Sequence, residues 1–224
     1  MKATVSPVPI TLCAGDVDVW RVPLGGRGDR FVDWLSPGEL ARLGGLRGER
    51  RHRFASSHGA MRSILGGYLG CLPDAVPIDA EYGQRPRVPG LQVSLAHGDG
   101  LGLVAVAVDA IGVDVEALDA ADDPDLVDVA AATLSARELQ EFVAIPASGR
   151  AQSWLRSWVR KEAVLKARGE GLSDRLLSDV DVSHAQLGDL TIVDVAVGPG
   201  YLGTVAVSHP APRVLVKDWV DEPF

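Results

Sequence analysis

The sequence predicts an α+β protein of two halves packed into one body, and three observations predict it. Short, alternating strand patterns recur in both halves of the chain. Long helical patterns with start and stop signals lie among them. No Pro/Gly-rich or charged linker separates the halves, so their cores are expected to join. At 224 residues and 46% apolar content the chain can bury a substantial core.

The elements follow in order. Val17–Val22 alternates as a half-buried strand, and the Gly25–Asp29 loop after it lacks the Lys-Ser/Thr ending of a phosphate-binding P-loop. Ser36-Pro37-Gly38-Glu39 starts a helix with a capping hydroxyl, a first-turn proline and an acid three residues on. A second helix follows, with Phe54, Met61, Leu65 and Tyr68 on its apolar side, ending near Gly70. The region from Arg42 to Arg62 is rich in arginine, and is read either as a solvated face or as a local phosphate-binding patch. Ile78–Glu81 suggests a short strand, and Tyr82-Gly83-Gln84-Arg85-Pro86 a turn that presents Arg85. Leu91–Leu95 and the continuously apolar Leu101–Val108 are strands, the second central. Asp109-Ala110 is short enough to turn the chain into an antiparallel partner, Ile111–Glu116. The acids from Asp119 to Asp128 lack calcium-loop spacing and read as a solvated loop and helix start. Thr133-Leu134-Ser135-Ala136-Arg137-Glu138 opens a helix, through Phe142, that leads via Pro146 and Gly149 to a longer one over Trp154–Arg168, closed by Gly169 and Gly171. Strand patterns return at Val180–Val182, Leu190–Val197, Leu202–Val207 and Val214–Val216.

Composition excludes several classes. No stretch approaches the apolar length of a membrane helix, and no basic-then-apolar signal pattern opens the chain. Cys13 and Cys71 are far apart and match no metal or redox spacing, so a soluble cytoplasmic protein is expected. A net charge of −8 argues against general nucleic-acid binding.

Two features point to chemistry. In the Trp154–Arg168 helix, Trp154, Leu155, Trp158, Val159, Glu162, Leu165 and Lys166 form one stripe. Glu162 and Lys166 are therefore expected to point into the protein, where a charge without a partner costs several kcal/mol (roughly 3–5). In Ile111–Glu116 the strand period puts Val113 and Val115 on one face and Asp114 and Glu116 on the other. Paired carboxylates of this kind are read either as hydrated acids at a hairpin end or as a Mg²⁺ site completed by phosphates.

These two segments, Ile111-Gly112-Val113-Asp114-Val115-Glu116 and Trp158 to Lys166 with Gly169-Glu170-Gly171-Leu172, resemble the signature motifs of the 4'-phosphopantetheinyl transferases. The length and the long N-terminal half resemble the surfactin-synthetase-activating type, a pseudo-dimer in one chain. Ser36-Pro37, His52-Arg53, Tyr82-Gly83 with Pro86, His97, Pro199-Gly200-Tyr201 and His209-Pro210 fall in the family's order. The resemblance implies residues 1–109 as the nucleotide side of a coenzyme A cleft and 110–224 as the metal and transfer side. It implies Mg²⁺ on Asp114, Glu116 and Glu162, and Glu162 as a candidate base. Lys166 would stabilise the transfer, and Lys161 would make a further phosphate contact. Arg42, Arg53, Arg85 and His97 would surround the adenine and 3'-phosphate. The implied reaction moves the 4'-phosphopantetheine arm of coenzyme A to a serine of an acyl or peptidyl carrier protein, with loss of 3',5'-ADP, by a monomer. Carrier proteins of fatty acid, polyketide or nonribosomal peptide synthesis are the implied partners. A non-catalytic coenzyme A or carrier-protein binder and a Mg²⁺-dependent nucleotide phosphohydrolase are the alternatives. The sequence departs from the family where Ala96 and Gly98 flank His97 and where Gln84-Arg85 replaces a single lysine.

Overall fold

Two β-sheets lie face to face, and one 22-residue helix covers the outer side of each. The structure, a computed structural model, describes residues 9–25, 28–79, 85–121, 125–170 and 177–220. The expected features at Gly26-Arg27, Ala80–Gln84, Asp122-Asp123 and Gly171-Leu172 lie outside the described residues.

The first sheet holds β1 (Asp16–Pro23), β2 (Arg87–Val88), β3 (Leu91–His97), β4 (Leu101–Ala107) and β9 (Arg213–Asp218), in the order β2-β3-β4-β1-β9. The second holds β5 (Ile111–Ala117), β6 (Gln186–Leu187), β7 (Leu190–Val195) and β8 (Tyr201–Val207), in the order β5-β8-β7-β6. Between β1 and β2 come α1 (Pro37–Gly45) and α2 (Gly48–Leu69). Between β5 and β6 come α3 (Leu126–Thr133), α4 (Ala136–Ala144) and α5 (Ala147–Arg168). Set β1 beside β5 and the order β2-β3-β4-β1 repeats as β6-β7-β8-β5. The α+β pseudo-dimer is thus one strand–helix–sheet plan used twice.

The plan is written in local signals. Ser36 and Ser135 both accept from an N–H three residues on while Glu39 and Glu138 bond back, two complete capping boxes. The long helices both stop at a left-handed glycine, Gly70 and Gly169, at φ 66° and 70°. Period-two patterning then sorts the strands between layers. Val17, Val19, Leu103 and Ala105 meet Val113, Val115, Val205 and Val207 between the sheets. Val22, Val104 and Val106 face Ala60, Ile64 and Leu65 of α2. β4 is buried along its whole length because both its faces are covered.

Two sequence expectations are corrected. Asp109-Ala110 does not close a hairpin: both edges of β4 are taken by β1 and β3, so the chain crosses to the other sheet, where β5 pairs with β8. From the end of the chain β9 returns to pair in parallel with β1 and cover its free edge. Lys217 secures it there, donating to the buried Asp18 at 2.6 Å, and Tyr68 donates to the same carboxylate. Val180–Val182 is irregular chain packed under α5, not a strand. Among the described residues no helix is long and apolar enough to cross a membrane.

Candidate active site

The site begins with a glycine. A Cβ on Gly112 would meet the Ala163 carbonyl oxygen at 2.0 Å and the Ala167 nitrogen at 2.4 Å, so α5 rides directly on β5. Ala163 and Ala167 keep the helix surface low at that contact. Because Ile111, Val113 and Val115 fill the core between the sheets, the next strand positions, Asp114 and Glu116, must face α5. One turn apart on the helix, Glu162 and Lys166 come down beside them.

The groups are close and under-solvated. Lys166 Nζ donates to Asp114 Oδ1 at 2.6 Å. Asp114 Oδ2 and Glu162 Oε1 are buried with no hydrogen-bond partner among the described residues. Burial raises the pKa of Asp114 even though Lys166 opposes it. Glu116 is pushed up to about 7, first by burial and then by the charge of Asp114, with Glu162 adding to it. Glu162 is raised by burial and by Asp114, against the pull of Lys166. Three acids thus share a pocket holding more negative charge than one lysine can offset.

Unpaired buried carboxylate oxygens on two elements are the donor set that a hard cation prefers, and they fit Mg²⁺. Among the described residues, however, no three His, Cys, Asp or Glu side chains stand close enough to form a metal cage unaided. Lys166 occupies one oxygen of Asp114 and leaves the other without a partner among the described residues.

The first half forms the facing wall. Ser94 Oγ accepts from Val113 N–H at 3.0 Å, tying β3 to β5. A Cβ on Gly98 would lie 3.1 Å from the Val115 carbonyl oxygen, so the end of β3 runs against β5 just where the acids lie. That contact brings His97 within electrostatic range of Asp114 and Lys166. The His97 pKa is lowered, by partial desolvation first and then by Arg53, Lys166 and His58, although its side chain is solvent-exposed. Arg53 donates to Glu49 and Asp99, and its charge reaches Glu116. Tyr201 of β8 donates to the Asp99 carbonyl at 2.6 Å, fastening this loop to the second half. Arg42 holds its guanidinium 5.0 Å from the Phe54 ring, which stacks on His58.

The structure places two expected site residues elsewhere. Lys161 is fully buried, paired with Glu138 at 2.7 Å and donating to backbone carbonyls, and so is withdrawn from any phosphate. It neighbours Glu162 in sequence, but adjacent helical residues point about 100° apart. Arg85 directs its guanidinium to the carbonyls of Val93, Ile111 and Ala167, which belong to β3, β5 and the end of α5. It staples the two halves instead of presenting its donors to a nucleotide.

Among the described residues the repeat carries the acidic cluster once. By strand register Trp20 and Val22 stand where the second half has Asp114 and Glu116. By helix position Ser63 and Gly67 stand for Glu162 and Lys166. Gly112, Gly98, Ser94, Asp99 and Tyr201 escaped the sequence reading as site-forming residues; the glycine within Ile111–Glu116 was the available signal.

Residues 110–209, which contain every member of the acidic cluster, match the profile of the 4'-phosphopantetheinyl transferase superfamily. The chain is 35% identical over 188 residues to the 4'-phosphopantetheinyl transferase HetI of Nostoc sp. (strain PCC 7120), covering 79% of this chain and 78% of the relative. The chain belongs to the 4'-phosphopantetheinyl transferase superfamily. It is also 26% identical over 219 residues to the 4'-phosphopantetheinyl transferase AcpT of Escherichia coli K12, covering 91% and 98%. It is therefore an enzyme of the transferase class, a 4'-phosphopantetheinyl transferase.

Proposed function

We propose that this transferase moves the 4'-phosphopantetheine arm of coenzyme A to a serine hydroxyl of an apo acyl or peptidyl carrier protein, Mg²⁺-dependently, releasing 3',5'-ADP. The observation that carries this reading is the pair of unpartnered buried oxygens, Asp114 Oδ2 and Glu162 Oε1, beside Lys166 and across from Arg53 and His97. An acidic pocket faces a basic wall, which suits a ligand carrying both a pyrophosphate and a separate phosphate.

Asp114, Glu116 and Glu162 would hold Mg²⁺, which when bound supplies positive charge to the pyrophosphate oxygens. Lys166, already at the pocket, would turn its remaining donors to the transferring phosphate. Glu162, directly or through a bound water, would take the serine proton. The serine oxygen then forms a bond to the β-phosphorus, the bond to the bridging oxygen breaks, and 3',5'-ADP leaves with the electron pair. Arg53 and His97 would hold the 3'-phosphate and adenine side, with Arg42 beside them. The first half thus serves the nucleotide and the second the transfer. Two similar halves in one chain support the surfactin-synthetase-activating type.

Intact-mass analysis of apo carrier proteins incubated with coenzyme A, Mg²⁺ and this enzyme tests the reaction. A gain of one phosphopantetheine on a carrier serine is expected. Free phosphopantetheine with every carrier unmodified would mark a phosphohydrolase and overturn the reading.

A further inference from the structure

A charged side chain next to the site in sequence is buried most deeply of all and never enters it. Lys161 has no exposed surface. Its ammonium meets Glu138 at 2.7 Å, donates to the Leu177 carbonyl at 2.9 Å, and donates also to the Val180 carbonyl. Its three donors therefore each have an acceptor, which is the condition for tolerating a buried cation. Glu138 is equally engaged. Besides closing the capping box of α4 at Ser135 N–H, it accepts from Val182 N–H at 2.7 Å. One ion pair thereby joins α5, the start of α4 and the chain that returns beneath the helix.

The first half repeats this construction with a different cation. Arg62 is the fifteenth residue of α2, as Lys161 is of α5. It is 2% exposed, pairs with the capping-box Glu39 at 2.6 Å, and donates to the carbonyls of Pro73 and Val76. Among the described residues no such acidic cluster stands beside Arg62, since Trp20, Val22 and Ser63 occupy those positions. A device present in both halves, of which one carries the acidic pocket, belongs to the seating of the helix.

We propose that Lys161 and Glu138 are positioning residues, setting the rotation of α5 about its axis and so the direction from which Glu162 and Lys166 enter the cleft. With a side-chain radius of about 5–6 Å, a helix rotation of about 10° carries the Glu162 carboxylate about 1 Å sideways. A displacement of that size costs on the order of a hundredfold in rate.

The test rests on the transfer reaction proposed above and reads kcat for an apo carrier protein together with coenzyme A affinity by calorimetry. Lys161→Met should lower kcat by about a hundredfold while coenzyme A affinity stays within about threefold. The double variant Lys161→Met/Glu138→Gln should regain at least about tenfold over the single, because no uncompensated carboxylate stays buried. Lys161→Arg should rescue, since Arg62 fills the equivalent place. A double variant no better than the single, with coenzyme A affinity lost in both, would make Lys161 a ligand contact and overturn the proposal. Should Lys161→Met fail to fold, Glu138→Gln carries the test, and an unchanged kcat there is equally fatal. Wild-type protein that leaves the carrier unmodified sinks the reaction and not the pairing. The pairing is read independently by a double-mutant cycle in thermal unfolding, where additive effects of the two substitutions would refute it.

Discussion

Gly112→Ala perturbs the contact on which the whole site is seated. The added methyl would lie 2.0 Å from the Ala163 carbonyl oxygen, 2.4 Å from the Ala167 nitrogen and 2.9 Å from the Lys166 Cβ. The first two are helix backbone and have no rotamer to change. Ordinary contact begins near 3.4 Å, so α5 and β5 must part by about 1.4 Å locally. Overpacking of this kind costs about 1–3 kcal/mol, and a domain of this size loses roughly 2–4 °C in Tm for each kcal/mol. The catalytic effect should be larger than the stability effect. Lys166 stands 2.6 Å from Asp114, and about 1 Å of separation carries the pair beyond hydrogen-bond reach, with a rate loss on the order of a hundredfold. Two measurements decide it: carrier modification by intact mass over time, and thermal unfolding of the same sample. A variant that matches wild type in both would show that α5 does not rest on Gly112, and the account of how the site is built would fail with it.

Three further outcomes are expected. Arg53→Ala should lose most of the wild-type preference for coenzyme A over dephospho-coenzyme A, measured by calorimetry; undiminished discrimination would leave Arg53 as the partner of Glu49 and Asp99 only. Lys166→Met should cut turnover by about a hundredfold and keep the Mg²⁺ dependence, whereas Glu162→Gln should also shift that dependence to higher Mg²⁺. Mg²⁺ titrations of both variants check this, and identical curves would contradict the separate roles. Glu39 is held at about 2, below its ordinary 4.5, because bonds from His58, Ser36 N–H and Arg62 outweigh the opposing effect of burial. Its stabilisation, on the order of 3 kcal/mol, is present above pH 4.5 and is lost as pH falls toward 2. Glu39→Gln should flatten the acid limb of a denaturation series over that range, and an unaltered limb would count against the assignment.

Much of this molecule is legible in one dimension because its signals are local. Capping boxes at Ser36 and Ser135, glycine stops at Gly70 and Gly169, and period-two patterning in β1 and β5 concern residues within one turn or strand. The stripe and the strand pair likewise put Glu162 and Lys166 on the same side of α5, and Asp114 and Glu116 on the same face of β5, before any tertiary contact is known. Which strand pairs with which is a different matter. The short Asp109-Ala110 link reads as a hairpin, but β4 has no free edge, and edges are a property of the assembled sheet. β9 is placed by the open edge of β1, nearly two hundred residues away in sequence.

The same division runs through the site. Sequence alone determined the acidic pair, the Glu162–Lys166 stripe and the family resemblance that joins them. The tertiary structure decided what each charge faces. Lys161 and Glu162 are neighbours in the chain, and yet a rotation of about 100° sends one to Glu138 under the helix and the other into the cleft. Arg85 lies in a turn that reads as presenting its side chain outward, but the carbonyls of Val93, Ile111 and Ala167 converge on it from three elements. A side chain's partner is set by what lies within a few ångströms. That neighbourhood exists only after Gly112 has let α5 settle onto β5 and the two sheets have closed on each other.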